Sequence, residues 1–550
     1  MFITGYVPFG DRGILIRVET DIRRGIPGID ISGLADGAVK EARDRVRAAF
    51  RNSGLAFPLD RILINLAPAG VKKEGAALDL PIALSVMAAA GLVPGLAALP
   101  EQLMVLGELE LSGRVRPVRG ILAAVAAGIA EGIRFFIVPK ENEKEAAILF
   151  YRRRHSKMQY AAVSTLDEAA HALILIVNEG NFPPPFHKTL RPVGSDIFDC
   201  GDFAEVRGQD RYKRTLEIAA AGGHNLLVFG VPGAGKTMLC RRLPSIMAPL
   251  NSGEALEVTR IHSLAGQNAG EGFSLITQPP FRSPHHSASA EGVLGGGRTV
   301  RPGEISLAHF GILFLDEAPE FRINVLQALR EPLEERFLTI TRAEESVKLP
   351  ADFQLVMAAN ACPCGRLGSP ESYGFRGSDR PFSNLPEPDY FGPCLCSPEE
   401  IRRYWRKFGG ALLDRIDIRV PVGGGSEILY GTNNTEQIET SAAIQRRVIR
   451  AVELQRRRFA TPRGKSGIRR NARMSPSQIE RFCTLNAAAK LAFRKAADRL
   501  SFSGRAYHSV LKMARTIADL ENRETIETEH ILEAVQHRRL GDDPYDAIQR

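Results

Sequence analysis

Gly230-Val231-Pro232-Gly233-Ala234-Gly235-Lys236-Thr237-Met238 sets a glycine, four intervening residues and then Gly-Lys-Thr in a row. That spacing is the phosphate-binding loop pattern. Its glycines let the backbone curl so that successive N–H groups point at phosphate oxygens. Lys236 supplies a compact charge for the β- and γ-phosphates of ATP, and Thr237 offers a hydroxyl to Mg²⁺. The apolar run Leu226 to Phe229 reads as a buried strand. Lys236 then opens a helix, whose N-terminus favours an anion. A glycine-rich turn can match this pattern by chance. Strand, loop and helix in the required order argue for the phosphate site.

Two more apolar runs end in groups that suit the same chemistry. Gly311-Ile312-Leu313-Phe314-Leu315-Asp316-Glu317 closes on two carboxylates. Behind a phosphate loop, Asp316 would hold Mg²⁺ with Thr237, and Glu317 would polarise the attacking water. Phe353 to Asn360 closes on an amide that would orient water near the γ-phosphate. Cys362-Pro363-Cys364 and Cys394-Leu395-Cys396 flank a loop rich in Gly, Pro and Ser. Four thiolates in two pairs satisfy tetrahedral Zn²⁺, and a loop so poor in apolar residues needs a staple. The plainer alternative is four reduced surface thiols. Arg415, set among Asp414 and Asp417 before another strand, has the pattern of a structural ion pair. Pro284-His285-His286-Ser287 has no cysteine nearby and only Glu291 as an acid, so its histidines read as fixing loop conformation rather than binding metal. Ser503-Gly504-Arg505 opens a helix from Ala506 to Leu520, with Arg505 placed to reach nucleotide phosphate.

These groups need elements to position them. A chain of 550 residues is too long for one core and implies about three domains. Residues 1–175 mix short β-rich runs (Arg61 to Leu66, Met104 to Leu109, Arg134 to Pro139) with alanine-rich helical ones (Leu78 to Ala90, Ile121 to Ile129). Residues 176–200 form a Pro-rich join around Pro183-Pro184-Pro185, suited to extended spacer geometry. A core over 201–430 follows, with a Cys-rich insertion at 361–397. Within it, Val206-Arg207-Gly208-Gln209 suits a wall of the adenine pocket, and Phe337 to Leu349 reads as a β-hairpin around Ala343. Residues 431–550 read as helical and basic. Arg446, Arg447, Arg456 to Arg458, Arg463, Lys465, Arg469 and Arg470 form a positive band suited to phosphate, though such bands are often only solvated faces. Net charge is +9, compatible with an anionic partner. The start lacks a charged n-region and a signal core. Leu80 to Leu99, broken by Pro81, Gly91, Pro94 and Gly95, reads as a buried helix and turn rather than a membrane span. Seven cysteines, four of them clustered, favour a reducing, cytoplasmic setting and a metal site over disulfides.

The N-terminal region resembles the proteolytic domain of Lon-type proteases, an α+β fold of the ribosomal-protein-S5 type. The likeness lies in Lys73-Glu74-Gly75-Ala76-Ala77, Gly107-Glu108-Leu109, Gly113-Arg114-Val115 and Pro117-Val118-Arg119-Gly120. Lon-like enzymes carry serine where Ala77 stands and lysine where Leu122 stands. Neither replacement offers a nucleophile or a base, so the resemblance implies a non-proteolytic relative.

The chain as a whole resembles AAA+ ATPases of the magnesium-chelatase-like group, of the bacterial ComM/YifB type. The most specific stretches are Pro284 to Ser287, Pro302-Gly303-Glu304-Ile305-Ser306-Leu307-Ala308-His309 and Ala514-Arg515-Thr516-Ile517-Ala518-Asp519-Leu520. The resemblance implies a Lon-like domain, an α/β P-loop AAA+ core and a helical lid. It also implies that Asn360 senses the γ-phosphate, that Arg415 is an arginine finger acting on a neighbouring subunit, and that Arg505 is a second sensor. It implies a hexamer, a DNA partner and a branch-migration helicase active in recombination and natural transformation. The hairpin around Ala343 and the loop around Gly296 would face the pore. Two other classes stay open: a chelatase motor for metal insertion, opposed by the Lon-like region, and an ATP-binding scaffold, opposed by Asp316-Glu317.

Overall fold

In the computed structural model all residues are described except 1, 12, 34–35, 71–72, 74, 95–99, 153–157, 183–199, 268–273, 298–299, 342–345, 368–393, 423–438, 461–469 and 539–550. The proline triplet, the tip of the hairpin at Ala343, Arg463, Lys465 and Arg469 therefore lie outside the described residues.

The N-terminal region is built on a mixed seven-stranded sheet. Its strand order is Gly28–Ser32, Arg61–Ala67, Ile14–Arg23, Phe2–Val7, Leu103–Val105, Phe135–Pro139, Gln159–Val163. Arg61–Ala67 turns Ile62, Ile64 and Leu66 inward at every second position, the strand period. The helix Asp79–Ala89 is apolar all round and lies buried through most of its length, which suits a helix sealed inside a core. The apolar stretch beginning at Leu80 is thus a core helix as far as Ala89, and its residues 95–99 lie outside the described residues. Among the described residues no helix is long and apolar enough to cross a membrane.

One expectation fails here. Met104 to Leu109 is not a single strand. Leu103–Val105 joins the sheet, while Glu108–Leu109 pairs antiparallel with Val115–Arg116. The break falls at Gly107, where a Cβ would lie 2.9 Å from Leu80 Cδ2 and from Val115 Cγ1. The chain turns at the one residue that fits this gap.

The central region holds a parallel sheet of five strands, here β1 (Leu226–Gly230), β2 (Phe281–Arg282), β3 (Ile312–Leu315), β4 (Gln354–Asn360) and β5 (Ile418–Val422). The order is β2-β3-β4-β1-β5. Its strands are apolar on both faces, as a parallel sheet covered on both sides requires. Leu226, Val228, Phe314, Val356 and Val420 face one cluster, which they share with the C-terminal helices through Val448, Ala514 and Ile517. Leu227, Phe229, Leu315 and Met357 face the other, closed by Phe321, Trp405 and Phe408. The helices Ser441–Arg458, Gly504–Leu520 and Thr528–Arg538 are therefore part of the sheet's own core rather than a separate one.

The helix Ser252–Ala265 joins the two regions. Its Leu264 enters a cluster otherwise made by the N-terminal region, including Tyr6, Ile121 and Val125. Gly120 N donates to Ser263 O at 3.2 Å, and the Ser263 hydroxyl donates to Glu145. Glu145 also accepts from Leu122 N and Asn142 Nδ2, and burial pushes its carboxyl above the usual range. Leu122 is buried and Ala77 packs against the same cluster. The two positions that resemble a protease site carry only hydrocarbon side chains, packed inward.

Candidate nucleotide site and cysteine cluster

Parallel strands end at one edge of a sheet, and three of them end here in functional groups. β1 runs into the phosphate loop at Gly230, where a Cβ would lie 1.9 Å from the Val422 carbonyl oxygen at the end of β5. Only glycine passes that strand. Gly233 and Gly235 have φ of +77° and +78°, a region that costs other residues about 1 kcal/mol or more. A Cβ on Gly233 would meet nothing within 4 Å, so the loop's backbone there faces open space.

Lys236 begins the helix Lys236–Arg242. Its ammonium donates to Gly230 O (2.9 Å), Val231 O (2.8 Å) and Asn360 Oδ1 (3.2 Å). Burial draws it below the usual lysine range, against the pull of Asp316. Thr237 Oγ1 donates to both oxygens of Asp316, at 3.0 and 3.2 Å. The loop, β3 and β4 thus bring Lys236, Thr237, Asp316 and Asn360 to one place. Two side chains brace the loop from behind: Gln209 Nε2 donates to Ala234 O (3.1 Å) and Tyr212 Oη to Lys236 O (2.9 Å). Gln209, read from sequence as part of an adenine wall, touches the loop itself. The donor set fits Mg²⁺ and a polyphosphate. A hydroxyl and a carboxylate share one point, a cation stands beside them, and glycine backbone lies open above.

Glu317 follows Asp316 in the left-handed region, at φ 49° and ψ 44°. Its side chain is 62% exposed, and Oε2 lies 3.6 Å from His286 Nδ1. The histidine pair, read as fixing its loop, therefore reaches the carboxylate that follows β3. No local pattern in the sequence announces that contact.

Arg415 and Arg505 do not join the Lys236 cluster. Both close on Glu334, at 2.6 and 2.8 Å, and Arg415 Nη1 also donates to Ala411 O. The Arg415 hydrogen bond holds the Glu334 carboxyl below the usual range. Ser503 caps the helix bearing Arg505 by accepting from Ala506 N. Among the described residues of the basic band, three arginines are likewise engaged within the chain. Arg447 pairs with Glu217 and Glu439, Arg456 with Glu254, and Arg458 with Asp519.

The four cysteines converge. Cys362 Sγ lies 3.3 Å from Cys364 Sγ and 3.6 Å from Cys394 Sγ, and the sulfurs of Cys362, Cys364, Cys394 and Cys396 all fall within 4.8 Å of one another. A tetrahedron with metal–sulfur bonds of about 2.3 Å needs sulfurs about 3.8 Å apart, so the cluster can hold a metal ion. It adjoins the phosphate loop. Cys362 follows Asn360 by two residues, Trp405 Nε1 donates to Ala361 O (3.1 Å), and a Cβ on Gly365 would meet Pro232 of the phosphate loop at 2.8 Å.

Comparison with known proteins decides the lineage. Family models described as magnesium chelatase, subunit ChlI, match residues 202–380 and 386–428; models of the same subunit match 18–142 and, for its C-terminal part, 438–538. An uncharacterized protein YifB of Salmonella typhimurium is 38% identical, over 96% of this chain and 94% of its own. Competence protein ComM of Haemophilus influenzae is 37% identical over 96% of both chains. The chain belongs to the ComM/YifB family. A Lon protease of Salinispora arenicola is 28% identical over 31% of this chain and 22% of its own, so this ComM/YifB member also carries a partial likeness to Lon. The family's magnesium-chelatase kinship supports an ATPase-type site at the phosphate loop.

Proposed function

We propose that this ComM/YifB protein is an ATP-driven motor that works on DNA as a ring of six copies, of the branch-migration helicase type. The observation that carries the reading is the meeting of Lys236, Thr237, Asp316 and Asn360 at one sheet edge. In this reading Lys236 exchanges its carbonyl partners for β- and γ-phosphate oxygens. Thr237 and Asp316 would hold Mg²⁺, which when bound neutralises charge on the transferred phosphoryl group. Glu317 takes up the proton of the attacking water, and Asn360 orients that water. Arg415 acts on a neighbour's nucleotide and Arg505 on its own, each after leaving Glu334. The cysteine cluster holds Zn²⁺ and pins the segment that leads out of Asn360.

DNA is favoured by the net charge of +9 and by the relative named as a competence protein. The family models' magnesium-chelatase description favours a second reading, a motor for metal insertion. One experiment separates them. ATP hydrolysis by the full chain should rise on adding branched or single-stranded DNA. It should vanish in Lys236→Ala with loss of nucleotide binding, and in Glu317→Gln with binding retained. Hydrolysis indifferent to DNA would remove the DNA reading, and turnover by Glu317→Gln would remove the site assignment.

A further inference from the structure

Glu317 has the least support of any group at the site. Its carboxylate is 62% exposed, and its backbone is held in the left-handed region, which is uncommon for a residue with a side chain. Such strain persists where surrounding structure imposes it, and it gathers at functional sites. Among the described residues, the side chain lying against that carboxylate is His286, with Nδ1 at 3.6 Å from Oε2. Hydrogen bonds of catalytic groups are often long until the reactants assemble.

His286 is itself held. Its ring meets Phe321 edge-on, with centroids 6.5 Å apart, and Phe321 is buried in the sheet's core. On its other side the His285 ring lies tilted against it at 4.1 Å. His285 spends its own Nδ1 on the Ser287 hydroxyl at 2.7 Å. One histidine therefore fixes the turn while the next faces the carboxylate.

We propose that His286 is a positioning residue: its ring nitrogen orients the Glu317 carboxylate toward the water that attacks the γ-phosphate. The inference rests on the reading of this site as an ATPase. It adds a residue from the segment after β2 to the cluster of Lys236, Thr237, Asp316 and Asn360, which stands at the ends of β1, β3 and β4. Partners that orient a metal ligand contribute roughly 10- to 100-fold, and an effect of that order is expected here.

The test is steady-state ATP hydrolysis and nucleotide binding by the full chain and three variants. If wild type does not hydrolyse ATP, the ATPase reading itself fails. Given wild-type hydrolysis, His286→Ala should lower kcat roughly 10- to 100-fold with KM and nucleotide affinity within about twofold, since only the reacting geometry is touched. His286→Asn, whose amide nitrogen falls near the place of Nδ1, should recover most of the rate. His285→Ala should cost less than His286→Ala. Three results would overturn the proposal: wild-type kcat in His286→Ala, a loss that appears in KM alone, or equal losses in the two alanine variants without rescue by asparagine.

Discussion

Arg415→Ala separates two roles by magnitude. In the structure Arg415 pairs with Glu334, their side chains 14% and 44% exposed, and Arg505 holds the same carboxylate. Removing Arg415 strands no acid, because Arg505 remains. The structural cost is that of a partly exposed ion pair, about 1 kcal/mol at most. That shifts an unfolding midpoint by roughly 2–4 °C and leaves the chain folded at working temperature. An arginine finger lost from a neighbour's site costs roughly 10³–10⁵ in rate, or about 4–7 kcal/mol of barrier. The assay is ATP hydrolysis with native mass on the same samples. Arg415→Ala should assemble, bind ATP and hardly turn over. Mixing it with Lys236→Ala should restore part of the activity, since some interfaces then pair an intact loop with an intact finger. Glu334→Gln provides the control: a purely structural pair predicts equal damage from Glu334→Gln and Arg415→Ala, whereas a finger predicts that Glu334→Gln still hydrolyses. Near-normal turnover by assembled Arg415→Ala would refute the trans-acting role.

Elemental analysis should find about one Zn²⁺ per chain, as a four-thiolate site requires, and most should be lost from Cys394→Ser combined with Cys396→Ser; unchanged metal in that variant would place zinc elsewhere. Asp519 is buried and accepts from Arg458 (2.7 and 2.5 Å), Arg515 (3.1 Å) and Asn471 (2.8 Å). Asp519→Ala should therefore lose about 3–5 kcal/mol in urea unfolding, the cost of leaving buried charge uncompensated, and a loss below about 1 kcal/mol would show the network to be dispensable. Burial pushes the His262 imidazole down from 6.5 to about 4, although its Nε2 bonds to Leu307 O. The unfolded chain then binds the extra proton first, so stability falls as pH drops from about 6.5 to about 4, by about 3 kcal/mol in all. His262→Gln should flatten that part of the pH–stability curve, and an unchanged slope would assign the acid sensitivity to other groups.

Much of the site was legible because its signals are local. Gly230 to Thr237 is a contiguous motif, and Asp316 and Asn360 each end an apolar run that reads as a strand. A shared strand direction then brings their ends together. The cysteines were legible by type and spacing. What stayed hidden depends on pairs far apart in the chain. The contacts of His286 with Glu317, of Arg415 and Arg505 with Glu334, and of Ser263 with Glu145 span 31, 81, 171 and 118 positions, and no periodicity records them. The acidic partners of the basic band stayed hidden for the same reason. Arg447, Arg456 and Arg458 read as open charge until the fold brings Glu217, Glu254 and Asp519 to them. The strand expected through Leu109 failed at Gly107, because the close approach of Leu80 is a packing fact rather than a propensity.

The central claim is that ATP turnover at the Lys236–Glu317 site moves DNA. The most direct measurement follows a four-way DNA junction and a forked duplex with purified full-length protein, ATP and Mg²⁺, alongside Glu317→Gln. The account predicts junction migration and strand displacement by wild type, and none by Glu317→Gln even though it binds ATP and DNA. Wild-type protein that hydrolyses ATP yet leaves both substrates intact, or equal DNA remodelling by Glu317→Gln, would contradict it.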